Sequence, residues 1–249
     1  MVECHLAKVD VASSNLVYRS IKNTVIKSHG VFLYFEEAQK MRTWLFDFDG
    51  TLVDSMPAFA GVMLRILDEN HMTYDRNIVK IITPLGYRDT ARYFVEMGLP
   101  RTQEELIETM NRYALEEYAN RIPAKPHVEE VLRKLKARGD DLNILTASPH
   151  MMLDPCLKRL GLYDLFTNVW SCEDFGTNKA NPEIYHMAAE KIGRPVEEIW
   201  FLDDNLNADR TAKAAGMRVC GVYDESSAEA EDEIRAAADR YIYDFSELL

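Results

Sequence analysis

The chain has 249 residues, 47% of them hydrophobic and 28% charged, with a formal net charge of −12. These proportions suit a globular chain with a sizeable core, and the length suits one large domain or a core carrying a smaller insert. The acidic balance, without a basic stripe, excludes a nucleic-acid binder, and any site for an anion must bring its own positive charge against the field of the chain.

Residues 1–40 read apart from the rest, with five Lys/Arg against four acids, so the acidic excess lies downstream. Between Ser13 and His29 no period of 2 or 3.6 is sustained. "VFLYF" at 31–35 reads as an extra strand. Met41 stands just before the first strong strand, and residues 1–40 are expected to be an N-terminal appendage. No secretory signal is expected at the N-terminus. No apolar run approaches the ~20 residues of a membrane span. The four cysteines, at 4, 156, 172 and 220, form no C-x-x-C pair. That usage predicts reduced thiols in a cytoplasmic protein that engages neither membrane nor nucleic acid. A monomer is the default expectation.

From Met41 onward, strands and helices alternate. "TWLFDF" (43–48), "LNILTA" (142–147), "EIWFLD" (198–203) and "RVCGVY" (218–223) read as strands, and "RYIY" (240–243) as a short edge. Phe59, Val62, Met63, Ile66 and Leu67 form one apolar stripe of a helix over 57–70. Val128, Val131, Leu132 and Leu135 form another, with Gly139 as its stop. "NADRTAKAAG" predicts a helix ending at Gly216, and Asn181 and Pro182 open one further upstream. "DESSAEAEDE" (224–233) reads as a solvated loop and helix start. Strands separated by helices imply a Rossmann-like α/β fold, a parallel sheet with helices on both faces. Residues 57–122 interrupt the pattern with helical periodicity and no strand, and Pro123 and Pro126 mark the return. The expected organisation is an α/β core of 41–56 and 123–249 with an inserted all-helical domain at 57–122.

The chemistry concentrates at predicted strand ends, where ligands of open parallel sheets bind. Asp47 and Asp49, two apart, point to one side at the first such end, and Gly50 permits a sharp turn or a close backbone approach. Two like charges so close repel unless a cation sits between them, and magnesium takes such carboxylates. A calcium loop fails on spacing, because its sixth position would be Leu52 and its twelfth Ala58. Alone, the pair leaves a turn cap as the lesser alternative. Other strand ends add Thr146, Ala147 and Ser148, then Asp203 and Asp204, with Lys179 in the loop "GTNKANPEIY". Each alone could be a helix cap or a solvated side chain. Their arrival in order at one sheet edge is much harder to dismiss.

The series "DFDGT…T…K…DD" resembles the haloacid dehalogenase superfamily over residues 43–249. "FDFDGTLVDSMP", "GLYDLF", "KANPEIY" and "AKAAGM" are similar to the branch of phosphoglycolate phosphatase-like and β-phosphoglucomutase-like enzymes. That branch carries a helical cap where the insert falls. The resemblance implies Asp47 as nucleophile forming an aspartyl-phosphate, and Asp49 as general acid and then base. It implies Mg2+ held by the Asp47 carboxylate, the Asp49 carbonyl and Asp204, with Asp203 in or beside the set. Gly50, Thr146, the Ala147 N–H and Lys179 would hold the phosphoryl group. The implied activity is hydrolysis of a small phosphomonoester. Three features depart from the pattern: Ala180 follows Lys179, Asp203 stands where Gly is usual, and Ala208 where an acid is usual. Asp209, next to Ala208, is expected to point elsewhere on its helix.

The second aspartate of the pair favours phosphoester chemistry over dehalogenation. Mutases of this branch place a cap-side histidine at the position of Phe59, and no histidine lies between Asp49 and His71. Water is therefore the expected phosphoryl acceptor, with a sugar phosphomutase as the alternative. A non-catalytic phosphate-binding or regulatory protein on the same fold is the reading of another class. In the insert, "TPLGYRDTAR" (83–92) offers Arg88 to an anionic substrate group.

Overall fold

The computed structural model describes residues 21–28, 31–38, 41–75 and 77–249, in two units, Met1–Lys40 and Met41–Leu249. In the first unit β1 (Ile21–Ser28) pairs antiparallel with β2 (Val31–Ala38), Ile21 opposite Ala38 and Ser28 opposite Val31. β2 contains the "VFLYF" run. β1, "IKNTVIKS", mixes apolar and polar residues at both parities, so no period of two reveals it. Cys4 and the remainder of residues 1–20 lie outside the described residues.

In the second unit a six-stranded sheet has the order β5-β4-β3-β6-β7-β8, every pair parallel. The strands are β3 (Thr43–Phe46), β4 (Asp141–Thr146), β5 (Asn168–Ser171), β6 (Ile199–Asp203), β7 (Arg218–Val222) and β8 (Arg240–Ile242). β3 is central and buried at every residue. Its alternation sends Trp44 and Phe46 to one face, into a cluster with Val131 and Leu135 of α5 (Val128–Ala137) and Leu153 and Leu157 of α6 (His150–Arg159). Leu45 faces the opposite cluster, with Tyr185 of α7 (Glu183–Ile192) and Ala212 of α8 (Leu206–Ala214). Helices on both faces follow from that period of two, as the alternation of elements predicts. β5 is the strand that the sequence does not announce. It has four residues, three of them half-buried, at the sheet edge, and "NVWS" carries no alternation. The acid-rich stretch becomes a 3-10 turn over Glu225–Ala230 and then α9 (Glu231–Ala237).

The stretch after β3 folds into α1 (Met56–Glu69), α2 (Ile78–Ile82), α3 (Gly86–Glu96) and α4 (Gln103–Asn120). These bury a core of their own, in which Val62, Met63, Ile66 and Leu67 meet Phe94 and Met110. α4 starts on a reciprocal cap. The Thr102 hydroxyl accepts from Glu105 N–H at 3.2 Å, and Glu105 accepts from Thr102 N–H at 2.9 Å. The chain leaves the sheet and returns to it at one place. Asp54 N–H donates to the Pro123 carbonyl and Lys125 N–H to the Leu52 carbonyl, both at 3.0 Å. Cys156, Cys172 and Cys220 are buried free thiols, and no described helix is long and apolar enough to cross a membrane.

Candidate active site

Phe46 pairs with Ile144 of β4 and Leu202 of β6, so the ends of the three central strands lie level. Asp47 N–H donates to the Leu202 carbonyl at 2.8 Å, which fixes Asp47 just past the end of β3. Its carboxylate accepts from Lys179 Nζ, and the same ammonium donates to Asp203 Oδ2 at 2.8 Å. Lys179 comes from the loop before α7. The Tyr185 hydroxyl braces that loop by donating to the Lys179 and Ala208 carbonyls, each at 3.1 Å. Asp204 Oδ1 accepts from Thr51 Oγ1 at 3.0 Å. Asp47, Asp203 and Asp204 are all buried, and each offers one oxygen within 4.8 Å of the others.

The electrostatics leave this cluster short of positive charge. Burial opposes the charge on Lys179, but the Asp203 and Asp47 carboxylates outweigh it and hold the ammonium above its ordinary pKa. Burial pushes Asp203 up to about 6, with Asp47 adding to the shift and Lys179 opposing it. Burial, Asp203 and Asp47 raise Asp204 well above the carboxylate range. Three converging buried carboxylates, of which Asp203 and Asp204 hold their protons above the ordinary range, fit a small divalent cation, and an all-oxygen donor set fits magnesium. The Asp49 side chain stands outside this trio, so only its backbone carbonyl is left for such an ion.

Gly50 has φ of 72°, and a Cβ built there would lie 2.5 Å from Asp204 Oδ2. Its missing side chain lets the Asp204 carboxylate reach the first turn. The Gly50 carbonyl accepts from Lys125 Nζ at 2.5 Å, and that lysine pairs with the buried Asp224 at 2.9 Å. Lys125 lies in "PAKP", where the sequence signals only punctuation.

Asp49 is held from two sides. Ser148 Oγ donates to Oδ2 and Tyr118 Oη to Oδ1, each at 2.5 Å. Burial and the Asp47 charge raise its pKa, and these two donors oppose the rise. Tyr118 belongs to α4, 69 residues along the chain, and nothing in the sequence couples it to Asp49. Thr146 is buried and accepts from Ser148 N–H at 3.1 Å, while Ala147 is exposed beyond β4.

Two residues differ from the sequence reading. Asp209 does not point away. It is fully buried with neither carboxylate oxygen hydrogen-bonded, and burial together with the Asp203 and Asp204 charges pushes its pKa up to about 9. The cause is the cap at Asn205, whose side chain accepts from Asn207 N–H at 2.9 Å and Ala208 N–H at 3.3 Å. α8 therefore starts at Leu206, and that phase puts Asp209 on the buried face of the helix with Ala208 and Ala212. Arg88 is exposed, and its neighbour Tyr87, not Arg88, lines the small pocket beside Tyr118. Successive helical residues diverge by about 100°, so Arg88 does not share the direction of Tyr87, whose ring lies on Phe59, 4.7 Å away and 8° from parallel.

The haloacid dehalogenase-like hydrolase profile matches residues 44–222. Phosphoglycolate phosphatase of Salmonella typhimurium is 28% identical over 242 residues, 86% of this chain and 93% of that protein. The protein of that name from Colwellia psychrerythraea is 30% identical over 196 residues, 74% and 85% of the two chains. The solved structure of a Thermotoga maritima protein assigned as a β-phosphoglucomutase superposes with TM-score 0.72 at 22% identity, covering 84% of this chain and 97% of that one. That likeness carries the fold, and the profile spans most of the chain and every residue of the site. The chain belongs to the haloacid dehalogenase-like hydrolases, as a phosphatase.

Proposed function

We propose that the chain is a magnesium-dependent phosphatase that hydrolyses a small phosphomonoester through an aspartyl-phosphate on Asp47. The observation that carries this is the division of labour between two aspartates. Asp47 lies with Lys179, Asp203 and Asp204, while Asp49 is turned to Ser148 and Tyr118.

An Asp47 carboxylate oxygen attacks phosphorus, the bond to the alcohol oxygen breaks, and Asp49 gives that oxygen its proton. Water then attacks the aspartyl-phosphate, Asp49 takes the water's proton, and Asp47 and inorganic phosphate are released. Lys179, Thr146 Oγ1 and the Ala147 N–H hold the phosphoryl oxygens, with Gly50 in the turn that contacts them. Magnesium on the Asp47 and Asp204 carboxylates and the Asp49 carbonyl, with Asp203 alongside, would neutralise phosphoryl charge in the loose transition state. We read residues 57–122 as a cap that closes over this site. Residues 1–40 are read as an appendage that the chemistry does not need. A cytoplasmic setting suits the unpaired thiols.

Phe59 weighs against the mutase. It lies flat on Tyr87 and offers no proton-transfer group where the mutase pattern needs one. The test is an Asp47→Asn variant, expected to lose all magnesium-dependent hydrolysis of p-nitrophenyl phosphate. Equal rates in variant and wild type would overturn the mechanism. A wild type inert to every phosphomonoester would favour a phosphate-binding protein.

A further inference from the structure

Two hydroxyls from distant parts of the chain fix the Asp49 carboxylate. Tyr118 Oη reaches one of its oxygens from α4, and Ser148 Oγ reaches the other from the turn after β4, each at 2.5 Å. A phenol or an alcohol can donate, and a carboxylate only accepts, so both bonds point at Asp49. One such bond fixes a single atom of the side chain. Two, on different oxygens, fix the plane of the carboxylate. Each oxygen has two lone pairs, so each keeps one for the reacting proton.

Tyr118 is itself held in place. Its ring stacks on that of Phe48, with centroids 6.2 Å apart and planes at 25°, and Phe48 is fully buried between the two aspartates of the pair. The guanidinium of Arg159, the last residue of α6, donates to the Tyr118 carbonyl at 3.2 Å and to the Ile122 carbonyl at 2.5 Å. Ser148 lies just before α6, which begins at His150. One helix thus follows from the turn that carries Ser148 and grips the end of α4 that carries Tyr118. A phenylalanine would stack on Phe48 as well as the tyrosine does. The oxygen of Tyr118 goes to Asp49.

We propose that Tyr118, with Ser148 on the other oxygen, is a positioning residue for the proton that Asp49 carries. The inference rests on the phosphatase reading above. Proton transfer needs geometry before acidity, and a misplacement of about 1 Å costs about 10²-fold. The attacking and leaving oxygens are in line on phosphorus, so the group that protonates the departing oxygen cannot stand where Asp47 stands. The two hydroxyls keep Asp49 turned to a place of its own, while Asp47 stays with Lys179. Because Tyr118 comes from α4, the helical stretch takes part in the proton transfer.

The test uses two esters, with magnesium, on the full-length wild type and on Tyr118→Phe and Ser148→Ala. Ethyl phosphate loses its alcohol only with a proton, and p-nitrophenyl phosphate loses its phenolate without one. Tyr118→Phe keeps the ring on Phe48 and removes only the hydroxyl. Its kcat on ethyl phosphate is expected to fall about 10–100-fold. Its single-turnover release of p-nitrophenolate, with enzyme in excess, is expected to stay within about threefold of wild type. Ser148→Ala removes the other donor without touching α4, and the same split between the esters is expected. A purely structural role would slow both esters alike. Both slowed alike in these variants, or neither slowed, overturns this inference and leaves the phosphatase reading standing. A wild type that turns over neither ester overturns both.

Discussion

Gly50 and Asp204 share a space that only glycine leaves open: a Cβ at position 50 would lie 2.5 Å from Asp204 Oδ2, at a backbone φ of 72°. Gly50→Ala therefore strains the turn by roughly 1–2 kcal/mol and displaces the Asp204 carboxylate. The magnesium concentration for half-maximal activity is expected to rise by roughly 10–100-fold, as when a ligand loses its support. A magnesium titration of activity beside a urea unfolding curve separates the two effects. An unchanged magnesium requirement would remove Asp204 from the metal set.

Asp49→Asn tests the proton carrier. With alkyl phosphates the alcohol leaves only when protonated, so kcat is expected to fall about 10²–10⁴-fold. p-Nitrophenolate needs no proton to leave, so this substrate should still phosphorylate Asp47. The expected record is a burst of about one p-nitrophenolate per enzyme followed by slow turnover, because the substituted amide cannot take the proton of the attacking water. Stopped-flow absorbance gives the answer, and full steady-state turnover on alkyl esters would count against the assignment.

Lys125 ties three segments together through the Gly50 carbonyl, the Tyr223 carbonyl and Asp224. Asp224 is 4% exposed. Lys125→Met leaves that carboxylate buried without its cation, at an expected cost of about 3–5 kcal/mol in unfolding free energy. Lys125→Met/Asp224→Asn should recover part of the loss. Denaturant melts of both variants decide it, and a loss below about 1 kcal/mol in the single variant would make the pair a minor one.

Asp209 gives the metal-free protein a pH-dependent weakness. Its pKa is about 9 in the fold, against an ordinary carboxylate value near 4. Between those values the folded state keeps the proton and the unfolded chain releases it, so Asp209 makes stability fall as pH rises through that window. Asp209→Asn keeps the shape without the ionisation. In chelator, the excess of its melting temperature over wild type is expected to be several-fold larger at about pH 8 than at about pH 5. The same offset at both values would mean that Asp209 does not titrate in this range.

Much of this site is legible before folding because it sits at strand ends. Asp47, Thr146 and Asp203 follow or close buried apolar runs, and the parallel register brings those ends level without long-range information. Lys179 is readable from its loop and the helix behind it. Tyr118 is not, because its link to Asp49 depends on how α4 packs over the sheet, and no period encodes that. Asp209 is missed for a local reason: its direction depends on the residue at which α8 starts, and the Asn205 cap decides it. Arg88 and Tyr87 show the same sensitivity, since one residue of helical phase exchanges an anion-binding wall for an aromatic one. β1 and β5 escape because neither alternates, one pairing within a hairpin and the other lying at a sheet edge.

The hydrogen bonds from Asp54 to Pro123 and from Lys125 to Leu52 make the helical stretch begin and end at a single stitched point. Whatever lies between those stitches adds nothing to the length of chain the sheet itself must close. If the stretch is the cap proposed above, its far helices can change in length while Asp47 and Lys179 keep their places, and α4, whose Tyr118 holds Asp49, cannot. The same stitch lies within a few residues of Asp49 and Gly50. A change in how that stretch leans would reach Asp49 and the first turn before the strands beneath them.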